Sequence, residues 1–222
     1  MITPSEELHN KARAARAASR ELAKARTKVK DQALLNIAAA LEECTDEILQ
    51  ANGRDYQQSK ANGLSDALLD RLLLNPSILK AQAADVRTIV DLTDPVGECF
   101  DARVLPNGLQ IGKRRVPLGV IGAVYESRPN VTVDISALCL KSGNAVVLRG
   151  GKEAFNSNKV LASLVRDSII AAGLPADTVQ FVESTDRGLV SEMLKMRDHI
   201  DLFVPRGGSG LIKYVAENAT MP

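Results

Sequence analysis

Residues 116–151 read VPLGVIGAVYESRPNVTVDISALCLKSGNAVVLRGG, and this stretch decides the fold. Its opening nine residues form a short apolar run of the kind found in strands covered on both faces. A helical pattern over 131–141 follows, and Ala145-Val146-Val147-Leu148 is a second apolar run. Residues 178–182 and 200–204 supply a third and a fourth, with helical patterns over about 155–172 and 189–196. In the longer of these, Leu161, Leu164, Val165 and Ile169 share one face, and Gly173 with Pro175 beyond it makes the stop. Strands that alternate with helices predict a parallel sheet with right-handed crossovers.

Upstream the chain reads as helical to about residue 94. Residues 12–26 are rich in Ala, Arg and Lys, strong helix formers. Leu34, Ile37, Ala38 and Leu41 recur at the spacing of one helix face. Asn52-Gly53 and Asn62-Gly63 read as turns, and Asn75-Pro76 opens a helix to about Val90. Residues 96–116 read as a hairpin about Pro106-Asn107-Gly108, since Asn107 and Gly108 are a pair that both tolerate positive φ. An isolated two-stranded ribbon is unstable, so this one is expected to pack on something else, such as a second subunit. The expected division is a helical part over 1–94, a hairpin over 95–116 and an α/β part over 117–222. The expected fold class is α/β: a doubly wound, mainly parallel, Rossmann-like sheet with N-terminal helices and a protruding β-hairpin.

Composition narrows the function. Of 222 residues, 45% are hydrophobic and 25% charged, which suits a folded chain with a real core. A net charge of +1 lacks the basic excess of a nucleic-acid surface. No signal peptide and no membrane span are expected from the pattern. Cys44, Cys99 and Cys139 are odd in number and widely spaced, which points to reduced thiols in a cytoplasmic protein. Cys44 and Cys139 read as core and Cys99 as hairpin, so no nucleophile is expected among them. His9 and His199 stand apart without a ligand cluster, so no metal centre is expected.

Ligands on such sheets bind outside the carboxyl ends of the strands, which directs attention to four loops. The first, Tyr125-Glu126-Ser127-Arg128-Pro129-Asn130, gathers a carboxylate, a hydroxyl, a guanidinium and an amide. It fits a capped turn in which Asn130 starts the next helix, and it equally fits an anion site at Arg128. The second, Arg149-Gly150-Gly151-Lys152-Glu153, fits a phosphate-bearing ligand approached through two glycines, or a flexible turn with solvated charges. The third, Glu183-Ser184-Thr185-Asp186-Arg187, reads as a capped helix start with a structural role. In the fourth, Pro205-Arg206-Gly207-Gly208-Ser209-Gly210 precedes a helical pattern, and backbone N–H groups at a helix start form an anion site. It is neither G-x-G-x-x-G nor a Walker loop.

These loops carry a family resemblance. Residues 117–124 are similar to the strand that opens the coenzyme domain of aldehyde dehydrogenases. Residues 142–149 resemble their Gly-Asn-x-Val-Val-x-Lys segment with arginine in place of lysine, and Ala171-Ala172-Gly173-Leu174-Pro175 resembles their helix ending. Within that superfamily, residues 125–130 and 204–209 look like the γ-glutamyl phosphate reductases; the general dehydrogenases carry Pro-Trp-Asn at the first site. The resemblance implies an aldehyde dehydrogenase-like fold and a homo-oligomer joined through the hairpin. It also implies NADPH-dependent reduction of γ-glutamyl 5-phosphate to glutamate 5-semialdehyde and phosphate, a step of proline biosynthesis in which glutamate 5-kinase is a possible partner. Arg149 and Lys152 fall where the adenosine ribose is held, and two cations there suit the 2′-phosphate of NADPH. Gly207, Gly208 and Ser209 fall at the pyrophosphate, with Glu126 and Ser127 beside the cofactor. Arg128 and Asn130 are assigned to the substrate, Arg128 standing where the superfamily has its oxyanion-stabilising asparagine. The family's nucleophilic cysteine sits downstream in a second domain, in a Cys-Asn-Ala context that does not occur here. The chain alone is therefore expected to be inactive as a reductase. Two rivals are an NAD-dependent dehydrogenase of a small semialdehyde and a non-catalytic nucleotide-binding domain.

Overall fold

Five helices come first. In the computed structural model, which describes residues 2–222, they span Pro4–Leu22 (α1), Thr27–Glu43 (α2), Thr45–Ala61 (α3), Asp66–Leu72 (α4) and Pro76–Asp91 (α5). Thr3 and Glu6 close a capping box on α1, the Glu6 carboxylate accepting from Thr3 N at 2.8 Å. Asn75 caps α5 by accepting from Ile78 N at 2.9 Å, with Pro76 in the first turn.

Asn52-Gly53, predicted as a turn, lies inside α3. The buried Asn52 donates to Leu72 O (2.9 Å) and Ser157 Oγ (3.1 Å) and accepts from Leu74 N (2.8 Å). Three tertiary hydrogen bonds outweigh a local turn preference of a few tenths of a kcal/mol. Asn62-Gly63 does end the helix, with Gly63 at φ 75.

The hairpin is Cys99–Val104 (β1) and Gln110–Arg114 (β2), antiparallel, with a register shift between Phe100 and Arg103. Leu105 and Gly108 close the turn, the Gly108 N–H donating to Leu105 O at 2.8 Å. Of the Asn107-Gly108 pair only Gly108 has positive φ, at 85. Pro106 holds the first turn position at negative φ, so the loop becomes a right-handed turn followed by one left-handed residue. Every β1 residue is exposed, and Phe100 lies beneath Lys113 and Arg115 at 5.7 and 5.1 Å.

The remaining elements alternate: Val120–Tyr125 (β3), Val131–Lys141 (α6), Ala145–Gly150 (β4), Phe155–Ala171 (α7), Val179–Phe181 (β5), Gly188–Met193 (α8), Leu202–Arg206 (β6) and Ser209–Asn218 (α9). The four strands form one parallel sheet in the order β5-β4-β3-β6. The first strand begins at Val120 rather than at 116. Pro117 has no N–H for a ladder and Gly119 sits at φ 126, so the residues before 120 leave the sheet. Helix α7 ends as expected, with Gly173 at φ 81 and Leu174 N donating to Ile169 O at 3.1 Å.

Strand side chains alternate between two cores. Ile121, Ala123, Val146 and Leu148 pack with Leu34, Ile37, Leu140 and Leu161 on the side of α2, α6 and α7. Val120, Val124, Ala145 and Val147 pack with Leu8 and Ala12 of α1 and with Leu189 and Met193 of α8. The N-terminal helices thus share the core of the sheet. Beneath them runs a buried polar tie. The Lys30 ammonium, 1% exposed, meets Asp94 at 2.7 Å and Lys141 O at 3.0 Å, while Lys141 donates to Asp31 (2.7 Å) and Val90 O (2.8 Å). Burial alone would raise the Asp94 pKa, but bonds from Lys30, Thr27 and Val96 N carry it below its ordinary value. Among the described residues no helix is long and apolar enough to cross a membrane.

Candidate functional site

Chain order reverses at β3: the strands run outward through β4 to β5, then return to β6 on its other side. Loops that leave such a switch point part from one another and open a crevice at the carboxyl ends. A cleft of ≈ 1320 Å³ lies there. Its walls come from the loops after β3, β4 and β5, from α3 and its following turn, and from Leu211 and Tyr214 of α9. Glu126, Ser127, Arg149 and Lys152 all line it. Gly207, Gly208 and Ser209 form the turn into α9 at its edge, where Gly208 N donates to the Glu126 carboxylate at 3.0 Å. A Cβ on Gly207 would collide with that carboxylate and with Leu211, so a side chain there would push Glu126 off the α9 end.

The glycines of the β4–α7 loop have a different cause from the one expected. A Cβ on Gly150 would strike Asn158 Nδ2, and one on Gly151 would strike the Glu153 carboxylate. The space belongs to the protein's own side chains rather than to an incoming ligand. Glu153 folds back over Gly151 and accepts from Ser127 N (2.6 Å) and Ser127 Oγ (3.1 Å). That holds Ser127 at φ 48, a left-handed conformation that a non-glycine residue keeps only when its surroundings fix it. Below it runs a buried chain from Tyr125 Oη to Thr132 Oγ1 (2.7 Å) to Asn158 Oδ1 (3.1 Å), and burial pushes the Tyr125 phenol well above its ordinary pKa.

The charged residues divide. Lys152 is exposed and forms no ion pair among the described residues. Arg149 is only 7% exposed, and its Nη2 donates to Thr185 O (3.0 Å) and Asp186 O (3.4 Å). Burial lowers its pKa, partly offset by the nearby Glu153 charge. Arg128 is exposed but does not line this cleft. Asn130 does not cap α6 as expected. Its amide donates to Asp134 Oδ2 at 3.1 Å and its own backbone is already helical, which removes the geometry a cap needs.

Three contributors were missed from sequence. Asp55 caps α7 from α3; Glu153 braces the first loop; and the third loop, expected to be only structural, places Thr185, Arg187 and Gly188 on the cleft wall. The expected cap is absent: Arg187 holds the cap position in helical conformation with no side-chain bond, and Asp186 instead closes a local turn, Gly188 N donating to its Oδ1 at 2.8 Å. The strand-end position of Arg187 was a visible signal. The other two arise from tertiary contact and leave no local trace. Of the thiols, Cys139 is buried and pushed up to about 12, Cys99 is exposed on the hairpin, and Cys44 is half-buried between α2 and α3 rather than fully core. None lines the cleft.

A sequence model of the aldehyde dehydrogenase family matches residues 3–222. The γ-glutamyl phosphate reductase of Dehalococcoides mccartyi is 56% identical over 216 residues, covering 97% of this chain and 51% of that protein. Among solved structures, the γ-glutamyl phosphate reductase of Thermotoga maritima superposes with a TM-score of 0.95 at 45% identity, over 97% of this chain and 52% of its own. That of Saccharomyces cerevisiae gives 0.89 at 33% identity, over 100% of this chain and 56% of its own. The chain spans about half the length of the curated relatives it matches.

Proposed function

The chain belongs to the aldehyde dehydrogenase family, and from that premise we propose that it is the NADPH-binding part of a γ-glutamyl phosphate reductase. The observation that carries the cofactor reading is the turn into α9, where the Gly208 N–H already donates to the Glu126 carboxylate beside a cleft lined by Lys152 and Arg149. The donors fit the group: Gly208 N and the first turn of α9 for the pyrophosphate, with the cations that line the cleft for a ribose phosphate. Bound there, the dinucleotide supplies a hydride. The protein's own part is positioning. Glu153 fixes the Ser127 turn, Glu126 fills the α9 end until a phosphate displaces it, and α3 closes the far wall.

On this reading, Arg128 and Asn130 face the acyl phosphate from the other side of the β3 loop. A cysteine thiolate displaces phosphate from γ-glutamyl phosphate, and hydride then releases the thioester as glutamate 5-semialdehyde and restores the thiol. The positions of Cys44, Cys99 and Cys139 suit none of them to that role, so the 222-residue chain binds cofactor without turnover. The exposed hairpin serves as an arm between subunits.

Titration of the chain with NADPH and with NADH, followed by nicotinamide fluorescence, tests the reading. Saturable binding of both with NADPH tighter is expected. No binding of either would overturn it, and equal affinities would favour the NAD-dependent dehydrogenase instead.

A further inference from the structure

We propose that Arg187, on the loop between β5 and α8, reads the ribose phosphate that distinguishes NADPH from NADH, and that Arg149 is a positioning residue behind it. The inference rests on the dinucleotide reading above and deepens it. Three cations line the cleft: Arg149, Lys152 and Arg187. They differ in what their charged groups already hold.

Arg149 is committed. Its guanidinium is buried under the loop and gives Nη2 to the carbonyls of Thr185 and Asp186, the two residues immediately before Arg187. Its Nε has no partner. A planar fork that has spent one edge on backbone carbonyls cannot also present that edge to a phosphate. Arg187 is exposed and makes no ion pair among the described residues. Lys159 is neutralised by Glu183 at 2.6 Å and Lys11 by Glu7 at 2.8 Å; Lys152 makes no ion pair among the described residues either, but presents a single point charge where Arg187 presents a planar fork.

The backbone that carries Arg187 is held from three directions. Arg149 takes the carbonyls, Ser184 Oγ accepts from Asp186 N at 3.2 Å, and Asp186 Oδ1 accepts from Gly188 N at 2.8 Å. A fixed root with a free guanidinium is the arrangement that a bidentate phosphate contact needs. The proximity of Arg187 also adds to the burial that lowers the Arg149 pKa. The carboxylates of Glu153, Asp186 and Glu126 offset the Arg149 charge, whereas Arg187 keeps an unpaired guanidinium beside it, and a ribose 2′-phosphate supplies that guanidinium with a dianion where a ribose hydroxyl does not.

The test uses the 222-residue chain and three probes: NADPH, NADH and adenosine 2′,5′-bisphosphate. Arg187→Ala is expected to weaken NADPH and the bisphosphate about tenfold or more while NADH stays within about twofold. Arg187→Lys is expected to recover part of the preference. Arg149→Gln keeps a donor for the carbonyls but removes the charge, and is expected to keep the NADPH-to-NADH ratio within about threefold even if both affinities fall. The inference is overturned if Arg187→Ala leaves that ratio unchanged, or if Arg149→Gln abolishes it. Wild-type chain that binds both dinucleotides equally would also overturn it while the dinucleotide site stands. Wild-type chain that binds none of the three probes would remove the dinucleotide reading itself.

Discussion

Two helices of this sheet start from glycine-bearing turns at strand ends, and their N-termini are filled in opposite ways. At α7 the occupant is Asp55, reaching across from α3. It accepts from Asn156 N (3.2 Å), Asn156 Nδ2 (2.8 Å), Ser157 N (2.7 Å) and Ser157 Oγ (2.6 Å), and is 4% exposed. At α9 the occupant is Glu126, exposed, with the single bond from Gly208 N. Both ends attract negative charge for the same reason, the unpaired N–H groups and the helix dipole. One has been closed with a nearly buried carboxylate that accepts four hydrogen bonds. The other holds an exposed carboxylate through one bond, and on the dinucleotide reading a phosphate takes its place.

The contrast can be broken experimentally, most severely at Asp55. Asp55→Ala strips four accepted hydrogen bonds and leaves buried donors on Ser157, so a loss of about 2–4 kcal/mol is expected by urea denaturation. A loss under about 1 kcal/mol would make the α7 end no more structural than that of α9. Gly207→Val tests the other side. Its added carbons collide with Glu126 and Leu211 at the displaceable end, so NADPH binding should fall about tenfold while stability moves by under about 1 kcal/mol. The smallest effect is expected at Glu126→Gln: stability within about 0.5 kcal/mol, and NADPH binding tighter by about two- to fivefold because a competing charge is gone. Weaker binding in that variant would mean that Glu126 holds the ligand rather than the empty end.

The same pair shows what the sequence discloses. The parallel sheet, the hairpin and the boundaries of α6 were legible because apolar runs of strand length and helical spacing are local signals. The clustering of Glu126, Ser127, Arg149 and Lys152 followed from the rule about strand ends. What closes each helix end was not legible. Asp55 lies about a hundred residues from the donors it satisfies, and in sequence it is one carboxylate in a polar helix. Asn52 misled for the same reason, its turn preference cancelled by partners on α4 and α7. Gly150 and Gly151 fitted either room for a ligand or a flexible turn, because a one-dimensional pattern does not say whose atoms occupy the space.

The Lys30–Asp94 and Lys141–Asp31 pairs give the hairpin a stiff hinge pin. Asp94 precedes the ribbon by a few residues, and the Lys30 ammonium clamps it to the last turn of α6 through Lys141 O. The first turn of α6 follows directly on Arg128-Pro129-Asn130. The root of the ribbon and the Arg128 loop therefore stand at opposite ends of one helix, and removing the Lys30 charge would strand both the Asp94 carboxylate and the Lys141 carbonyl at that root.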